Sequence, residues 1–542
     1  MEKYVITNFT SGMATNTATN MTTSMTSSPK TKVVIAGGGT AGWMSAAALC
    51  KLLHKNVEVT LIESEQIGTV GVGEATIPPI RTFHKLLGIN EQQLMKATHA
   101  TFKLGIEFES WRDTPNNDFS QKQNRNINSY IHSFGITGKE CWAGEFHHFW
   151  LHGLTKGINT PFGDYCYELQ AAKQNKFSLP SQQLPQGINY AYHLDAGRYA
   201  DFLKAFCQSD AKTGVKNAVN RINATITGVN LNPVNGHIDS LTLDNGQTIA
   251  GDLFIDCTGF KGLFIEKALH TGFDDWSHYL PCDSAVALQT ESDGPLLPYT
   301  RSIAHQSGWQ WRIPLQHRVG NGLVYCSRYL NDEQAIETLK NNVKGHAITQ
   351  PRVIKFQTGR RRKGWQKNCV AMGLASGFIE PLESTSIHLI MTAIIRLLRL
   401  FPFNGIEQSL IDEYNQKLDS ELNSIRDFIV LHYHVTNRQD TPFWRHCQQM
   451  EIPASLKHKI ELFRNTGRVF LDDGDIFRVD SWVQVMLGQG LTPKHYHRIT
   501  DTMSDKEFKQ FMSGILTQVN QGVSRLPSHE QFVSNYCLAT DD

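Results

Sequence analysis

Three glycines near the N-terminus have the spacing of a phosphate-binding turn. They lie in GGGTAG, residues 37–42, between the β-branched run KVVIA and the helix-forming run WMSAAALCKLL. Glycines at this spacing permit a tight turn and a close approach of the backbone to a pyrophosphate, while the helix N-terminus offers N–H groups to the phosphates. About twenty residues further on, the strand-like run VEVTLIES contains an acid that can accept ribose hydroxyls. The residues predicted to bind a dinucleotide are Gly37, Gly39, Thr40, Ala41, Gly42 and Glu63.

A second unusual segment is GWQWRIP, residues 308–314, in which two tryptophans stand two positions apart. If the segment is extended, alternate residues face the same side, so Trp309 and Trp311 would form one flat aromatic wall. Aromatic stripes are usually packing, but a wall of this kind can also line a channel.

The elements around these residues predict an α/β fold. The runs LFIDCTG (253–259) and VAMGLASG (370–377) are further strands that end in small-residue turns, and three strand ends can line one long ligand. This first unit joined to late returning strands resembles the FAD-binding Rossmann-like module of flavoprotein monooxygenases. The sequence offers no second complete glycine fingerprint for a nicotinamide cofactor, which favours FADH2 supplied by a separate NAD(P)H flavin reductase.

The predicted organisation has three parts. Residues 1–30, rich in Thr, Ser, Asn and Met, are expected to be a disordered tail. Residues 31–404 form the FAD-binding module, with an aromatic-rich substrate-pocket insert at about 111–190. Residues 405–542 show apolar residues at spacings of three and four, which predicts a mostly helical substrate-binding subdomain that acts as a lid.

Composition narrows the partners and the compartment. Lys and Arg number 52 against 51 Asp and Glu, so no global charge recruits nucleic acid or an anionic membrane. The apolar run IHLIMTAIIRLL is too short to span a bilayer and contains a histidine and an arginine. Ten cysteines without a CxxC pair suit a reducing compartment. We therefore expect a cytoplasmic protein, a monomer or homodimer, that binds small molecules.

Seven blocks of the sequence, in order, resemble the flavin-dependent tryptophan and indole halogenases. They are GGGTAGW (37–43), VGEATIP (72–78), TFKLGIEF (101–108), GWQWRIP (308–314), SGFIEPLESTSIHL (376–389), TPFWR (441–445) and SWVQVMLGQG (481–490). The likeness covers nearly the whole folded chain. It implies a two-component FADH2-dependent halogenase that uses O2 and bromide or chloride to form hypohalous acid, which then halogenates an electron-rich indole-type aromatic.

The resemblance assigns the catalytic residues. Lys103 matches the lysine that hydrogen-bonds hypohalous acid or forms a haloamine. Glu383 matches the carboxylate that stabilises and deprotonates the cationic ring intermediate, and Glu380, three positions earlier, is the less favoured candidate. One helical turn would place both carboxylates on a face, although one of them could instead cap the following helix. Trp309 and Trp311 would separate the flavin from the substrate along a tunnel.

The same resemblance assigns contacts to the cofactor and the halide. Glu74, Leu374 and Ile387 match positions of the flavin pocket. Thr385 and Ser386 match the halide site, where backbone N–H groups and the positive end of a helix can hold an anion. Tryptophan halogenases carry glycine where Ser386 stands, so the halide pocket is expected to be narrowed or reshaped.

An aromatic sandwich is expected for the substrate. His132 and Phe134 match positions that lie on or beside the indole, and Trp444 would close the other side. Free-tryptophan halogenases hold the zwitterion with a tyrosine pair and a glutamate. Here His432 and Tyr433 align with the pair and Gln439 aligns with the glutamate. A neutral amide holds an ammonium less well than a carboxylate does, so a simple or differently substituted indole is expected to be a better substrate than free tryptophan.

Three other interpretations are open at this stage. His147, His148 and His152 invite a metal site, but the sequence shows no fixed carboxylate partner and the family needs no metal, so none is predicted. A flavin-dependent aromatic monooxygenase would hydroxylate its substrate without halide. A noncatalytic FAD-binding sensor would have no use for Lys103, Glu383 and the tryptophan pair.

Overall fold

A computed structural model describes residues 30–65, 73–112, 128–139, 141, 144–181, 187–209 and 218–539. Residues 1–29 of the predicted tail, together with part of the predicted insert, lie outside the described residues.

Strands and helices alternate through the first two-thirds of the chain, and helices dominate the rest. The strands are β1 (Thr31–Ala36), β2 (Val57–Glu63), β3 (Gly73–Ala75), β4 (Thr101–Lys103), β5 (Gly105–Glu109), β6 (Ser129–Ser133), β7 (Ala191–Asp195), β8 (Val219–Asn223), β9 (Ile226–Leu231), β10 (Ile238–Leu243), β11 (Thr248–Ala250), β12 (Leu253–Asp256), β13 (Phe273–Asp275), β14 (Ser284–Thr290), β15 (Thr300–His305), β16 (Gly308–Pro314), β17 (Val319–Tyr325), β18 (Arg352–Lys355), β19 (Gly359–Arg361), β20 (Trp365–Gln366), β21 (Cys369–Ala371) and β22 (Gly377–Phe378). The α-helices are α1 (Thr40–Leu52), α2 (Pro79–Leu87), α3 (Glu91–Ala97), α4 (Phe146–Thr155), α5 (Tyr167–Lys173), α6 (Ala196–Gln208), α7 (Asp332–Asn342), α8 (Ser386–Arg399), α9 (Gln408–His434), α10 (Pro442–Gln449), α11 (Ala454–Thr466), α12 (Val479–Gly488), α13 (Asp505–Ser524) and α14 (His529–Tyr536).

A six-stranded sheet carries the predicted dinucleotide unit, in the order β20-β21-β12-β1-β2-β8. Strands β21, β12, β1, β2 and β8 are mutually parallel. The apolar runs of all but the edge strand β8 are buried, as strands covered on both faces require. The register places Ala36, Asp256 and Ala371 side by side at one edge. This arrangement confirms the α/β prediction and brings the three predicted strand ends together.

A seven-stranded sheet, β18-β14-β17-β16-β15-β5-β6, holds the double-tryptophan segment in its interior. Strand β16 pairs with β15 on one side and β17 on the other. A small sheet, β3-β7-β4, lies beside it, and its strand β4 ends at Lys103. Because β5 follows β4 after one residue, the strand bearing Lys103 leads directly into the larger sheet.

The C-terminal region is helical, and its longest helix is α9, with 27 residues. One continuous hydrophobic cluster runs from Val33 in β1 to Cys537 beyond α14, so the helices share a core with the sheets. Among the described residues, no helix combines the length and apolar character that crossing a bilayer requires.

Candidate active site

The glycine turn forms a cradle that fits a dinucleotide. Gly37 has a φ of +107°, in a region that side chains rarely adopt, and a Cβ there would overlap the carbonyl of Cys257. A Cβ on Gly42 would overlap the Gly37 carbonyl, whereas one on Gly39 would meet nothing within 4 Å. Helix α1 begins after Gly39 without a side-chain cap. Its first N–H groups, at Thr40 and Ala41, can therefore serve a ligand's phosphates.

The acid at the end of β2 is already engaged by protein groups. The Glu63 carboxylate accepts hydrogen bonds from Arg221 and, at 3.3 Å, from Trp43 Nε1, and Lys204 Nζ lies 3.6 Å away. Glu63 also packs directly against the glycine turn, since a Cβ on Gly38 would overlap its carboxylate. Sequence reasoning identified Glu63 but missed Arg221, because no local pattern links β2 with β8.

The residues assigned to the flavin lie on three different segments. Leu374 is partly exposed in a turn whose Gly373 would place a Cβ 3.1 Å from Ala41 of α1, which brings this turn against the glycine cradle. Ile387 is buried in the first turn of α8. Glu74 lies in β3, and burial raises the pKa of its carboxyl to about 7.

Lys103 is fully buried at the end of β4. Its Nζ donates hydrogen bonds to the Ser384 hydroxyl at 2.7 Å and the Thr76 carbonyl at 3.0 Å, and lies 5.1 Å from the centre of the Phe134 ring. Burial lowers the pKa of Lys103 to about 7, although nearby Glu383 opposes the shift. An ammonium in such a place loses its proton readily, so Lys103 can both hold and release a proton near neutral pH.

Glu383 lies between two histidines and is fully buried. Its Oε2 accepts from His132 Nδ1 at 2.8 Å, and its Oε1 lies 2.8 Å from His432 Nε2. Burial alone would raise the pKa of Glu383, but the two histidines hold it at about 2. Ser384, the next residue in the chain, has a φ of +60° and accepts the hydrogen bond from Lys103, and strained backbone of this kind is typical of functional sites.

The two carboxylates do not share a helix face, contrary to the sequence expectation. Residues 380–384 form a turn, and α8 begins only at Ser386. Glu380 Oε2 accepts hydrogen bonds from Trp309 Nε1 and the Tyr433 hydroxyl, both at 2.7 Å. Burial raises the pKa of Glu380 to about 7, although these two donors oppose the shift. Glu380 therefore fixes the tryptophan segment, while Glu383 faces the histidines.

The tryptophan pair lies in a strand, as expected, but does not form a flat wall. The ring centres of Trp309 and Trp311 are 6.3 Å apart and the rings are tilted by 59°. The tilt follows from their different supports. Trp309 is tied to Glu380, whereas the Trp311 ring occupies the space over Gly322 that a side chain would fill.

The halide assignment falls on the start of α8. Thr385 is fully buried, and its Oγ1 has no hydrogen-bond partner among the described residues. Ser386, the first residue of the helix, is partly exposed. A helix start with free N–H groups and an unsatisfied hydroxyl can hold an anion.

The predicted substrate residues are only partly brought together. His132 and Phe134 lie beside Glu383 and Lys103, and the Phe134 amide donates to the Leu104 carbonyl at 2.9 Å. Trp444 is fully buried and packs against Trp111, with ring centres 5.4 Å apart. Within the described part of the chain, no ring contact joins Trp444 to His132.

The three residues aligned with the zwitterion site have other partners. His432 lies against Glu383, and the Tyr433 hydroxyl is bonded to Glu380. Gln439 is exposed and donates to the Gln448 side chain at 3.0 Å. Sequence reasoning considered His432 only as a replacement for a tyrosine and missed its contact with Glu383, as it missed Ser384 and Thr76.

The histidine group in α4 has a carboxylate neighbour after all. Glu145 lies just before the helix, and its carboxylate and ligand atoms of His147 and His148 are within 4.8 Å of one another. Protein groups already use the rings, however: His147 Nε2 donates to the Gly467 carbonyl at 2.7 Å, and His148 Nδ1 accepts from the His497 amide at 3.2 Å. His148 then carries its proton on Nε2, the atom nearest Glu145, which removes that lone pair from metal binding.

Known proteins share both the sequence and the fold. A family model described as tryptophan halogenase matches residues 32–505. The tryptophan 6-halogenase SttH of Streptomyces toxytricini is 34% identical over 533 residues, which cover 92% of this chain and 97% of that protein. The tryptophan 7-halogenase RebH of Lentzea aerocolonigenes is 36% identical over 440 residues, 80% of this chain and 82% of that protein.

Solved structures agree with these relatives. Xcc4156, a flavin-dependent halogenase from Xanthomonas campestris, superposes with a TM-score of 0.88 at 51% identity, covering 95% of this chain and 99% of that one. BrvH, a flavin-dependent halogenase from Brevundimonas sp. BAL3, gives a TM-score of 0.85 at 41% identity, covering 94% and 99%.

Proposed function

The chain belongs to the tryptophan halogenase family and is a flavin-dependent halogenase, and from that membership we propose that it uses FADH2, dioxygen and chloride or bromide to form hypohalous acid that halogenates an indole-type ring. The glycine cradle, Glu63, Glu74, Leu374 and Ile387 would hold FAD. Dioxygen is the oxidant that converts halide to hypohalous acid, and reduced FAD, when bound, would supply the two further electrons that dioxygen takes up. Thr385 and Ser386 would hold the halide. A separate NAD(P)H flavin reductase in the cytoplasm would supply FADH2.

The observation that carries this proposal is the burial of Lys103 against Ser384, the residue that follows the buried Glu383 in the chain. Lys103 Nζ would receive hypohalous acid, as a hydrogen-bonded molecule or as a haloamine, and present its electrophilic halogen to the ring. Attack by the ring leaves a cation, which the Glu383 carboxylate stabilises before it takes the ring proton. Trp309 and Trp311 would keep the ring away from the flavin.

The partners of the zwitterion-site residues support an uncharged substrate. His432 and Tyr433 are committed to Glu383 and Glu380, and Gln439 lies at the surface. None of these contacts presents a carboxylate to an ammonium. We expect indole to be turned over with a higher kcat/KM than free tryptophan, and competition between the two substrates in one tube measures this ratio. A clear preference for tryptophan would contradict it.

Mass spectrometry of an indole reaction tests the function itself. Purified protein is mixed with FAD, an independent flavin reductase, NADH and either bromide or chloride. We expect halogenated indole from the wild type and none from Lys103→Met, which keeps the length of the side chain without its amine. Lys96→Met, at an exposed position of α3, is the matched control and should behave as wild type. Oxygenated indole formed without halide would instead favour the hydroxylase.

A further inference from the structure

The histidine at position 432 has an acceptor at each ring nitrogen. His432 lies in the last turn of α9 and is fully buried. Its Nδ1 is 2.8 Å from the Phe428 carbonyl oxygen, one turn earlier in the same helix. Its Nε2 is 2.8 Å from Glu383 Oε1, off the axis of a straight hydrogen bond, so that this contact is mainly electrostatic.

These two contacts determine the proton content of the ring. A carbonyl oxygen only accepts hydrogen bonds, so Nδ1 must carry a proton. An ionised carboxylate also only accepts, so a proton on Nε2 makes this 2.8 Å contact attractive, whereas a bare Nε2 would leave two acceptors facing each other. The two contacts are therefore those of an imidazolium paired with Glu383.

The second partner of the carboxylate is held differently. His132 donates to Glu383 Oε2 from β6, where Phe428 and Phe477 pack near its ring at centre distances of 5.6 and 6.2 Å. His432 is enclosed by Phe108, at 4.8 Å, and by Trp111, at 6.2 Å, and is also tied to its own helix. Glu383 Oε1 thus faces the firmly held ring of His432, and Oε2 faces His132, on the side where the substrate is expected.

We propose that His432 is a positioning residue, a buried cation that keeps Glu383 ionised and oriented until the ring proton is transferred. This inference rests on the proposed halogenase function. When an aromatic ring occupies the place beside His132, Oε2 is released while Oε1 stays on His432. The ring C–H bond then breaks, its electron pair returns to the aromatic system, and the proton forms an O–H bond at Oε2.

Few other charges face this pair among the described residues. Lys103 lies beyond Ser384, and the phenol of Tyr130 in β6 is close enough for the charge of Glu383 to act on it. Burial, followed by the negative charge of Glu383, raises the pKa of Tyr130 well above its usual range, so that it stays neutral. The charge of Arg112, three residues beyond β5, acts on Tyr130 in the opposite direction. His432 is thus the cation in direct contact with Oε1, and removing it leaves Glu383 with one partner.

Histidine ¹⁵N NMR of the whole protein tests the charge without any turnover. In long-range ¹H–¹⁵N spectra at neutral pH, we expect the His432 signals, assigned by their loss in His432→Gln, to show two protonated nitrogens. In Glu383→Gln the same ring should return to the neutral form with a proton on Nδ1. A single protonated nitrogen in the wild type would overturn the proposal. If His432→Gln does not fold, His432→Asn provides the assignment.

Kinetics test the positioning role. In His432→Gln we expect kcat for indole halogenation to fall by about 10-fold or more with KM for indole nearly unchanged, because a misplaced base slows only the ring step. Hypohalous acid formation, trapped by an excess of a 1,3-diketone, should stay at the wild-type rate. The matched control is His434→Gln, in the same turn of α9, whose ring does not contact Glu383.

Two kinetic results would overturn the positioning role, and a third result would contradict the proposed function instead. A wild-type kcat in His432→Gln overturns the positioning role. An equal loss of hypohalous acid formation and ring halogenation indicates a merely structural residue and also overturns it. Absence of any halogenated product from the wild type contradicts the proposed function itself, whatever the NMR spectrum shows.

Discussion

At the scale of single residues, Lys103 holds a charge in a place that disfavours it. Burial lowers its folded-state pKa to about 7, and a lysine in an unfolded chain titrates near about 10.4. Between these values the unfolded chain binds more protons than the folded one, so stability rises with pH by about 1.4 kcal/mol per unit. Below about pH 7 both states are protonated and this contribution to the slope disappears.

Lys103→Met removes this titration. We expect the stability of the variant relative to wild type to be highest near pH 6.5 and to decline steadily towards pH 9. Urea denaturation of the apoprotein at several pH values measures the difference. Lys96→Met is exposed and should follow the wild type at each pH. Parallel curves for Lys103→Met and wild type would show that the buried amine keeps an ordinary pKa.

Individual site residues were predictable where neighbours in the sequence carry the chemistry. The glycine turn and the block ESTS each lie within a few positions, so local pattern and family resemblance identify them. The contact between His132 and Glu383 joins residues 251 positions apart, and no spacing rule reaches across that separation. The role of His432 depends on the Phe428 carbonyl and the Glu383 carboxylate together, which only the folded chain brings to one ring.

At the scale of elements, the turn between β1 and α1 separates two requirements for glycine. Gly42 is needed by the fold, because a Cβ would overlap the Gly37 carbonyl. A Cβ on Gly39 would lie in open space, so the fold tolerates a side chain there and only a bound ligand would exclude one. Gly42→Ala should therefore lose about 1–3 kcal/mol of stability as well as FAD affinity. Gly39→Ala should keep the apoprotein stability and lose FAD affinity alone.

Thermal melting of the two apoproteins and FAD titration followed by flavin fluorescence measure both properties. Tight FAD binding by Gly39→Ala would exclude a close approach of the backbone to the pyrophosphate.

The strand, turn and helix were predictable here because propensity, glycine spacing and hydrophobic pattern agree. The turn at 380–384 was not, since the three-residue spacing of the two carboxylates suited a helix, whereas the hydrogen bond of buried Glu380 with Trp309 holds the chain in a turn.

At the scale of the whole molecule, the C-terminal helix supports the strand that bears Lys103. His529 in α14 accepts a hydrogen bond from the Phe102 amide at 3.2 Å and donates one to the Leu296 carbonyl at 2.7 Å. Phe532 of the same helix packs on the Phe102 ring, with centres 5.6 Å apart. Burial lowers the pKa of His529 to about 4, so its ring is neutral and can do both. Sequence alone placed this helix in a lid and did not connect it to β4.

Replacement of His529 tests whether this distant support matters for catalysis. His529→Leu leaves the Phe102 amide and the Leu296 carbonyl without partners, which should cost about 1–3 kcal/mol for each group. Since Lys103 follows Phe102 directly, movement of β4 displaces its amine from Ser384, and we expect kcat for halogenation to fall by about 10-fold or more. His529→Gln offers both a donor and an acceptor and should recover most of the loss. Amide hydrogen exchange at residues 101–104 locates the change. Exchange that is faster in His529→Leu but not in His529→Gln would show that α14 holds the strand. Equal exchange and equal kcat in both variants would mean that β3 and β7 fix Lys103 without help from the C-terminus.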